Sequence, residues 1–324
     1  MIQPLVRFHD LGHDEEHFEE AILAGFRRPH KTIPCRFLYD ERGSLLFDEI
    51  CRLPEYYPTR TECGILEAAA PRIAELMGPG VQLIELGSGS SRKIRLLLDL
   101  LTEISGYVPV DISSEHLRRA AEAVALDHPA IPVTAICADY TRDFALPDAL
   151  QHGFRKRVAF FPGSTIGNLV PDEALDLLRS CGRLVGPGGD MLVGVDLKKP
   201  TPILNAAYND AQGVTAAFNL NLLTRINREL GADFDLGRFA HVGFYDEVEG
   251  RIEIYIESLV DQLIHIAGHG FRLTEGERIH TEYSYKYAIG EFRALARRAG
   301  WQPLDCWTDA ENLFSVHYLR RAQP

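Results

Sequence analysis

No run of apolar residues in this chain reaches the roughly 18 that a membrane-spanning helix needs, so none of it is expected in a bilayer. No basic start followed by an apolar core opens the sequence, so no export signal is read in the first 14 residues. None of Cys35, Cys51, Cys63, Cys137, Cys181 and Cys306 forms a Cys-x-x-Cys pair. That points to reduced thiols in a cytoplasmic protein rather than a metal knuckle or disulfide frame. Basic residues are in the minority: 34 Lys and Arg stand against 46 Asp and Glu, for a net charge of -12. An acidic chain with dispersed cations repels a phosphate backbone, so nucleic acid is not an expected partner. No fixed-period repeat or low-complexity segment occurs. What remains is 324 residues, enough for one large domain or an ordinary one plus a smaller one. A small-molecule substrate and a monomeric protein are expected.

From residue 81 apolar strands alternate with amphipathic helices. Val81–Leu86 reads as a buried strand, followed by the turn Gly87-Ser-Gly-Ser-Ser91. Ile94, Leu97, Leu98 and Leu101 recur at helical spacing. Short strands are predicted over 107–110, 133–137, 158–161 and 191–195, leading into Asp111, Asp139, the turn Pro162-Gly-Ser-Thr-Ile-Gly167, and Asp196. Ser113 and Ser114 are expected to cap a helix through their hydroxyls, and a further helix is predicted over 172–185. Such alternation favours an α/β fold with a parallel sheet covered on both faces. Right-handed crossovers then bring the strand C-termini to one edge, where ligands bind. The alternation stops at Asp196: residues 201–231 are mostly helical in pattern and 239–287 read as β, with a turn over 268–270. It resumes at Ile289. Residues 61–196 and 287–324 are therefore read as one sheet domain, and 197–286 as an α+β insertion with residues 1–60 packed beside it.

Gly87 and Gly89 open the first turn, and glycine lets a backbone turn left-handed and approach a ligand closely. The dinucleotide fingerprint Gly-x-Gly-x-x-Gly is incomplete, because Arg92 stands at the third glycine. Asp111 suits a pair of ribose hydroxyls, and Asp139 with Tyr140 suits an adenine ring; each acid could equally cap a helix. A dinucleotide calls for a helix N-terminus free for its pyrophosphate. S-adenosylmethionine (SAM) has no phosphate. Acids suit its cationic centre, and Lys93 suits its carboxylate. After the insertion, a helix, Gly300-Trp301 and two final β segments resemble the C-terminal hairpin of class I (Rossmann-like) SAM-dependent methyltransferases. A SAM-dependent N-methyltransferase of another free amino acid or small amine, such as tryptophan, a nicotinamide oxidoreductase and a non-catalytic SAM sensor are the rival readings.

Five stretches carry a more specific resemblance: Tyr39-Asp-Glu-Arg-Gly-Ser44, Leu53-Pro-Glu-Tyr-Tyr-Pro-Thr-Arg60, Glu85-Leu-Gly-Ser-Gly-Ser-Ser91, Pro162-Gly-Ser-Thr-Ile-Gly-Asn168 and Tyr208-Asn-Asp-Ala-Gln-Gly-Val-Thr-Ala-Ala-Phe-Asn219. In order and spacing they resemble the histidine-specific Nα-methyltransferases of ergothioneine biosynthesis (EgtD type). The resemblance implies a class I methyltransferase sheet with an inserted substrate-binding domain, SAM as methyl donor, and L-histidine as acceptor. It implies that Tyr56 and Tyr208 hold the substrate carboxylate, that Asn168 orients the amine with Tyr39 reaching the same group, and that Glu282 and Ser284 grip the imidazole. On the cofactor side it implies Gly87, Lys93, Asp111, Asp139 and Tyr140. Ile254 stands where some family members place a methionine, and Tyr283 is expected to face away from Glu282 and Ser284.

These roles make chemical sense. Phenol hydroxyls donate to a carboxylate without adding charge, and a carboxylate with a hydroxyl suits the two nitrogens of an imidazole. Glu and Ser two apart on a strand share a face. Taken singly, each residue also has an ordinary reading: a half-buried tyrosine, a helix-capping Asn, a solvated Glu. No metal is expected: the His9/His13 and His265/His269 pairs lack further ligands nearby. The expected reaction is in-line displacement at the SAM methyl by a neutral amine, three times over, with the proton passing to water.

Overall fold

The structure, a computed structural model, describes residues 6–11, 17–88, 92–101, 103–142 and 144–322. The second half of the first glycine turn, residues 89–91, therefore lies outside the described residues. The strands, in chain order, are β1 (Arg7–Asp10), β2 (Val81–Leu86), β3 (Gly106–Asp111), β4 (Thr134–Cys137), β5 (Lys156–Phe161), β6 (Asp190–Asp196), β7 (Phe239–Asp246), β8 (Arg251–Ser258), β9 (Gln262–Ile266), β10 (His269–Leu273), β11 (Arg278–Tyr285), β12 (Trp301–Thr308) and β13 (Phe314–Arg321). The α-helices are α1 (His17–Phe26), α2 (Glu41–Ile50), α3 (Tyr57–Met77), α4 (Arg92–Leu98), α5 (Ser114–Asp127), α6 (Pro171–Val185), α7 (Thr201–Ala207), α8 (Val214–Leu230) and α9 (Ile289–Arg298). Two compact units share them. The first comprises Met1–His13, Pro58–Lys198 and Tyr285–Pro324; the second comprises Asp14–Tyr57 and Lys199–Ser284.

In the first unit one sheet runs in the order β1-β4-β3-β2-β5-β6-β13-β12. β1 to β6 are parallel, and the last two strands close the sheet antiparallel. β2 sits centrally with all six residues buried, which is why it reads as a run without polar alternation. The core joins Leu83, Ile94, Leu117, Val158 and Leu192 to α3 through Leu66 and Ile73. Trp301 anchors the closing hairpin, donating its indole N–H to the Leu178 carbonyl at 2.8 Å. Sequence reasoning placed residues 1–60 with the insertion, and at its start that is wrong. β1 pairs in parallel with β4, from Arg7 opposite Thr134 to Asp10 opposite Cys137. Without it β4 would present an unpaired edge. The hydroxyl cap expected of Ser113 is also not made; its backbone N–H instead donates to Asp111 Oδ1 at 2.9 Å.

In the second unit α8 buries Phe218, Leu222, Leu223 and Ile226 among Phe18, Ile22 and Phe26 of α1, Leu46 of α2, and Ile256 and Ile279 of the sheet β11-β8-β7. Asp40 ties this layer together. It caps α2 by accepting from Gly43 N–H at 2.8 Å, and it also binds Asn221 (2.7 Å) and Arg228 (2.8 Å). Gly43 is obligatory, since a Cβ there would lie 1.8 Å from the Leu38 oxygen. The predicted 268–270 turn falls one residue earlier: Ala267 and Gly268 have φ of 48° and 79°, as a tight hairpin turn requires, while His269 and Gly270 pair with Ile266 and His265.

The first unit buries charge as well as apolar surface. Lys286 and Asp196 form an ion pair at 2.7 Å with side chains 0% and 1% exposed. Removing one partner of such a pair strands the other in a low-dielectric interior. Lys286→Met is expected to lower the unfolding free energy by about 3–5 kcal/mol, and adding Asp196→Asn to recover part of that loss, both read from urea titrations.

Candidate functional site

At the first unit's sheet edge, the backbone turns out of β2 at Gly87, with φ of 73°. A Cβ at that position would only touch the Tyr140 ring and hydroxyl at 3.5–3.8 Å, so the left-handed φ, not lack of space, is what favours glycine beneath this aromatic. Tyr140 also packs edge-on against Phe161, 5.7 Å between centroids. The next residue, Ser88, is 2% exposed, and its hydroxyl has no hydrogen-bond partner among the described residues. Asp111 and Asp139 follow adjacent strands. Each uses one oxygen in a local turn: Asp111 Oδ1 accepts from Ser113 N–H, and Asp139 Oδ1 accepts from Thr141 N–H at 3.0 Å. Five of the residues singled out from the sequence, Gly87, Lys93, Asp111, Asp139 and Tyr140, thus fall on this unit.

Two carboxylates here were missed by sequence reasoning. Glu85, inside β2, is buried and receives the Tyr107 hydroxyl; burial pushes its carboxyl up to about 8, against the pull of Tyr107 and Lys93. An acid within an otherwise uncharged, fully buried strand was the available signal. Glu62, two residues past the Leu53–Arg60 motif, pairs with Lys93 at 2.6 Å and accepts from Gly163 N–H at 2.9 and 3.1 Å. Beyond Gly163, Ser164 takes φ of 58°, and a short 3-10 turn (Thr165–Asn168) ends on half-buried Asn168. Ser164 Oγ accepts from Asp196 N–H at 2.8 Å.

The second unit gathers Tyr39, Tyr56, Tyr208, Glu282 and Ser284. Tyr208 and Ser284 share a hydrogen bond of 2.9 Å between hydroxyls. Tyr56 packs edge-on to Tyr208 at 6.1 Å and to Phe47 at 6.3 Å, and Tyr39 packs on Phe47 and Phe218, each at 5.6 Å. Burial pushes the Tyr56 phenol well above its ordinary range, and the nearby Tyr208, Cys51, Tyr39 and Glu282 push the same way, so it stays a donor. Glu282 and Ser284 are 8% and 4% exposed. Tyr283 is engaged elsewhere, under the Arg251 guanidinium at 4.0 Å and against the His280 ring at 3.9 Å. Ile254, 4% exposed, lies on β8, and its carbonyl accepts from the Thr281 hydroxyl at 3.2 Å.

The Tyr208–Asn219 motif fixes this set from below. Asp210 accepts from Val214 and Thr215 N–H at 2.9 and 2.8 Å and starts α8. Asn209 donates to the carbonyls of Asn205 and Gly243. His241 contacts the Tyr208 carbonyl through Nε2 at 2.9 Å and Asn219 Nδ2 through Nδ1 at 3.0 Å. An amide nitrogen only donates, so the ring is neutral with its proton on Nε2. Burial lowers the His241 pKa in the same sense.

Comparison with known proteins bears on this arrangement. Residues 18–321 match the model of the family described as histidine-specific, SAM-dependent methyltransferase. The histidine N-alpha-methyltransferase of Mycolicibacterium smegmatis is 38% identical over 93% of this chain and 94% of its own length. That of Mycobacterium tuberculosis is 36% identical over 94% and 96%. Among solved structures, an inferred methyltransferase from Thermobifida fusca superposes with a TM-score of 0.50 at 15% identity, covering 92% of this chain and 97% of that one; this likeness concerns the fold alone.

The buried Glu85 gives stability a pH dependence of known sign. In the native fold it keeps its proton up to about 8, whereas the unfolded chain releases it above the ordinary 4.5. The unfolded state thus binds fewer protons between those limits, so this group's contribution is complete below about pH 4.5 and drains away as pH rises toward 8. Glu85→Gln cannot ionise and is expected to flatten that decline, measured as urea midpoints across the interval. An unchanged slope would assign the decline to another group.

Proposed function

The chain belongs to the SAM-dependent, histidine-specific methyltransferases, and from that premise we propose that it passes three methyl groups in succession from SAM to the α-amino nitrogen of L-histidine, giving trimethylhistidine (hercynine) for ergothioneine biosynthesis. The observation that carries this reading is the hydroxyl pair Tyr208–Ser284. It joins a residue suited to a carboxylate to one suited to an imidazole, with Glu282 and Tyr56 close by. A free histidine carries those two groups a few bonds apart, the carboxylate on its α-carbon and the imidazole at the end of a short side chain, and indole offers only a single donor.

The first unit's edge fits SAM. The unpartnered Ser88 hydroxyl, the aromatic over Gly87 and two acids at adjacent strand ends suit a molecule carrying hydroxyls, an adenine and a cation. SAM supplies a methyl group already activated by its sulfonium, so the protein's task is alignment. Asp111 accepts from ribose hydroxyls, Asp139 and Tyr140 hold the adenine, and Lys93 meets the carboxylate. In the second unit Tyr56 and Tyr208 donate to the substrate carboxylate, the Tyr56 phenol held protonated by burial. Glu282 and Ser284 take the imidazole nitrogens. Asn168 accepts from the substrate amine and sets its lone pair, with Tyr39 assigned to the same group. The α-amine of a free amino acid is mostly protonated near neutral pH, so each transfer draws on the neutral fraction, whose proton passes to water. The six cysteines are free, as suits the cytoplasm. No helix among the described residues is long and apolar enough to cross a membrane. We assign a monomer that takes a small-molecule acceptor and binds no nucleic acid.

Incubation with SAM and L-histidine, followed by mass spectrometry, is expected to show mono-, di- and trimethylated histidine in sequence, with L-tryptophan left unchanged. Methylation of tryptophan in preference would overturn the acceptor assignment. Asn168→Ala is expected to lower kcat about 100-fold, the scale of a misaligned nucleophile. Ser284→Ala is expected to raise KM for histidine about tenfold, the scale of one lost hydrogen bond. A kcat retained in full by Asn168→Ala would remove its positioning role.

A further inference from the structure

Glu62 has no part in the roles assigned above, yet it occupies the costliest kind of position. Its side chain is 0% exposed. A buried carboxylate loses several kcal/mol of solvation and is tolerated only when paired and hydrogen-bonded. Both of its oxygens are within hydrogen-bond reach of Gly163 N–H, at 2.9 and 3.1 Å, and Oε2 lies 2.6 Å from the Lys93 ammonium. The sheet makes room for it: a Cβ on Gly194 of β6 would sit 2.0 Å from Glu62 Oε1. The two groups it holds are themselves close, since a Cβ on Gly163 would lie 3.4 Å from Lys93 Nζ. One carboxylate on α3 therefore grips two separate pieces of the sheet edge, the lysine at the start of α4 and the turn after β5.

That turn needs holding. Gly163 and Ser164 both have positive φ, 81° and 58°. For serine the left-handed region costs energy and persists only where surrounding contacts enforce it. Glu62 fixes the residue before it through the Gly163 N–H, and Ser164 Oγ is fixed by Asp196 N–H. Asn168 closes the 3-10 turn that starts at the next residue, Thr165. Lys93, for its part, sits on a flexible four-carbon stem. An ammonium has three donors, so a bond to Glu62 sets the direction of the others.

We propose that Glu62 is a positioning residue that serves both reactants: it aims Lys93 at the carboxylate of SAM and sets the turn that presents Asn168 to the substrate amine. This deepens the reading above and rests on it for the roles of Lys93 and Asn168. A carboxylate that merely stapled α3 to the sheet would affect folding alone.

The test begins without histidine. SAM affinity is measured by calorimetry for the wild type, Glu62→Gln, Lys93→Met and the double variant, with melting temperature followed in parallel. Glutamine keeps the volume and an acceptor oxygen for Gly163 N–H but removes the charge facing Lys93. Glu62→Gln is expected to weaken SAM about tenfold, the scale of one charge-assisted hydrogen bond. The double variant should bind no more weakly than Lys93→Met, because both substitutions remove the same contact. Glu62→Asp, which keeps the charge, should recover part of the affinity lost in Glu62→Gln. With both substrates saturating, Glu62→Gln should also lower kcat about tenfold through Asn168 while KM for histidine stays within about twofold. Losses that add independently in the double variant, or an unchanged SAM affinity with only a lower melting temperature, would overturn the proposal. Coupled SAM binding without turnover of histidine would uphold the action of Glu62 on Lys93 and strike at the acceptor assignment instead.

Discussion

The pairing register of β2 with its two neighbours is the constraint on which the cofactor end depends. Leu86 lies opposite Val110 of β3, and Glu85 opposite Phe160 of β5. With strands parallel and in this register, Gly87, Asp111 and the Pro162–Gly163 turn leave the sheet together at one edge. A slip of one residue would turn every side chain of β2 to the opposite face. It would carry Glu85 away from Tyr107 and Glu62's two partners away from each other. The wholly buried character of β2 makes such a slip costly, since both of its faces are packed.

An acidic chain faces a particular problem in building this unit, because several of its carboxylates are in the core. Each has a named compensation. Glu62 has Lys93 and a backbone N–H; Glu85 has the Tyr107 hydroxyl and a retained proton; Asp196 has Lys286. Asp190, 0% exposed, is met by Lys156, Tyr318 and Arg320. Buried charge pairs contribute little net stability compared with apolar packing, but breaking one is expensive. Their value here is directional: a hydrogen-bonded pair fixes a side chain to an angle and distance that non-directional apolar packing does not.

The second unit buries carboxylates too, among them Asp210, Glu253 and Glu282, but sets neutral groups beside them. Tyr56 stays protonated because it is buried, with Tyr208, Cys51, Tyr39 and Glu282 pushing the same way. His241 stays neutral because Asn219 offers it only a donor. The helix-start carboxylate Asp210 and the two asparagines Asn205 and Asn209 lock the segment between α7 and α8, so that Tyr208 meets Ser284 without adjustment. Pre-set hydroxyls of this kind recognise a carboxylate at little ordering cost.

Much of this was legible in the sequence. The strands β2 to β6, the helices between them and the β-rich insertion follow from hydrophobic periodicity, which records burial of neighbours a few residues apart. The roles given to the cofactor edge and to the acceptor residues came from family resemblance rather than from periodicity, and they stand as proposals. What sequence left hidden is every partnership across distance. Glu62 meets Gly163 from 101 residues away, and Tyr208 meets Ser284 from 76 residues away. β1 joins β4 through a pairing that its four residues, three of them polar, do not announce. The chain's own order thus determined its local elements and the chemical types at the site. Only the tertiary fold decided which carboxylate faces which cation and which turn is held under strain, because register and crossover, not neighbouring residues, set those distances.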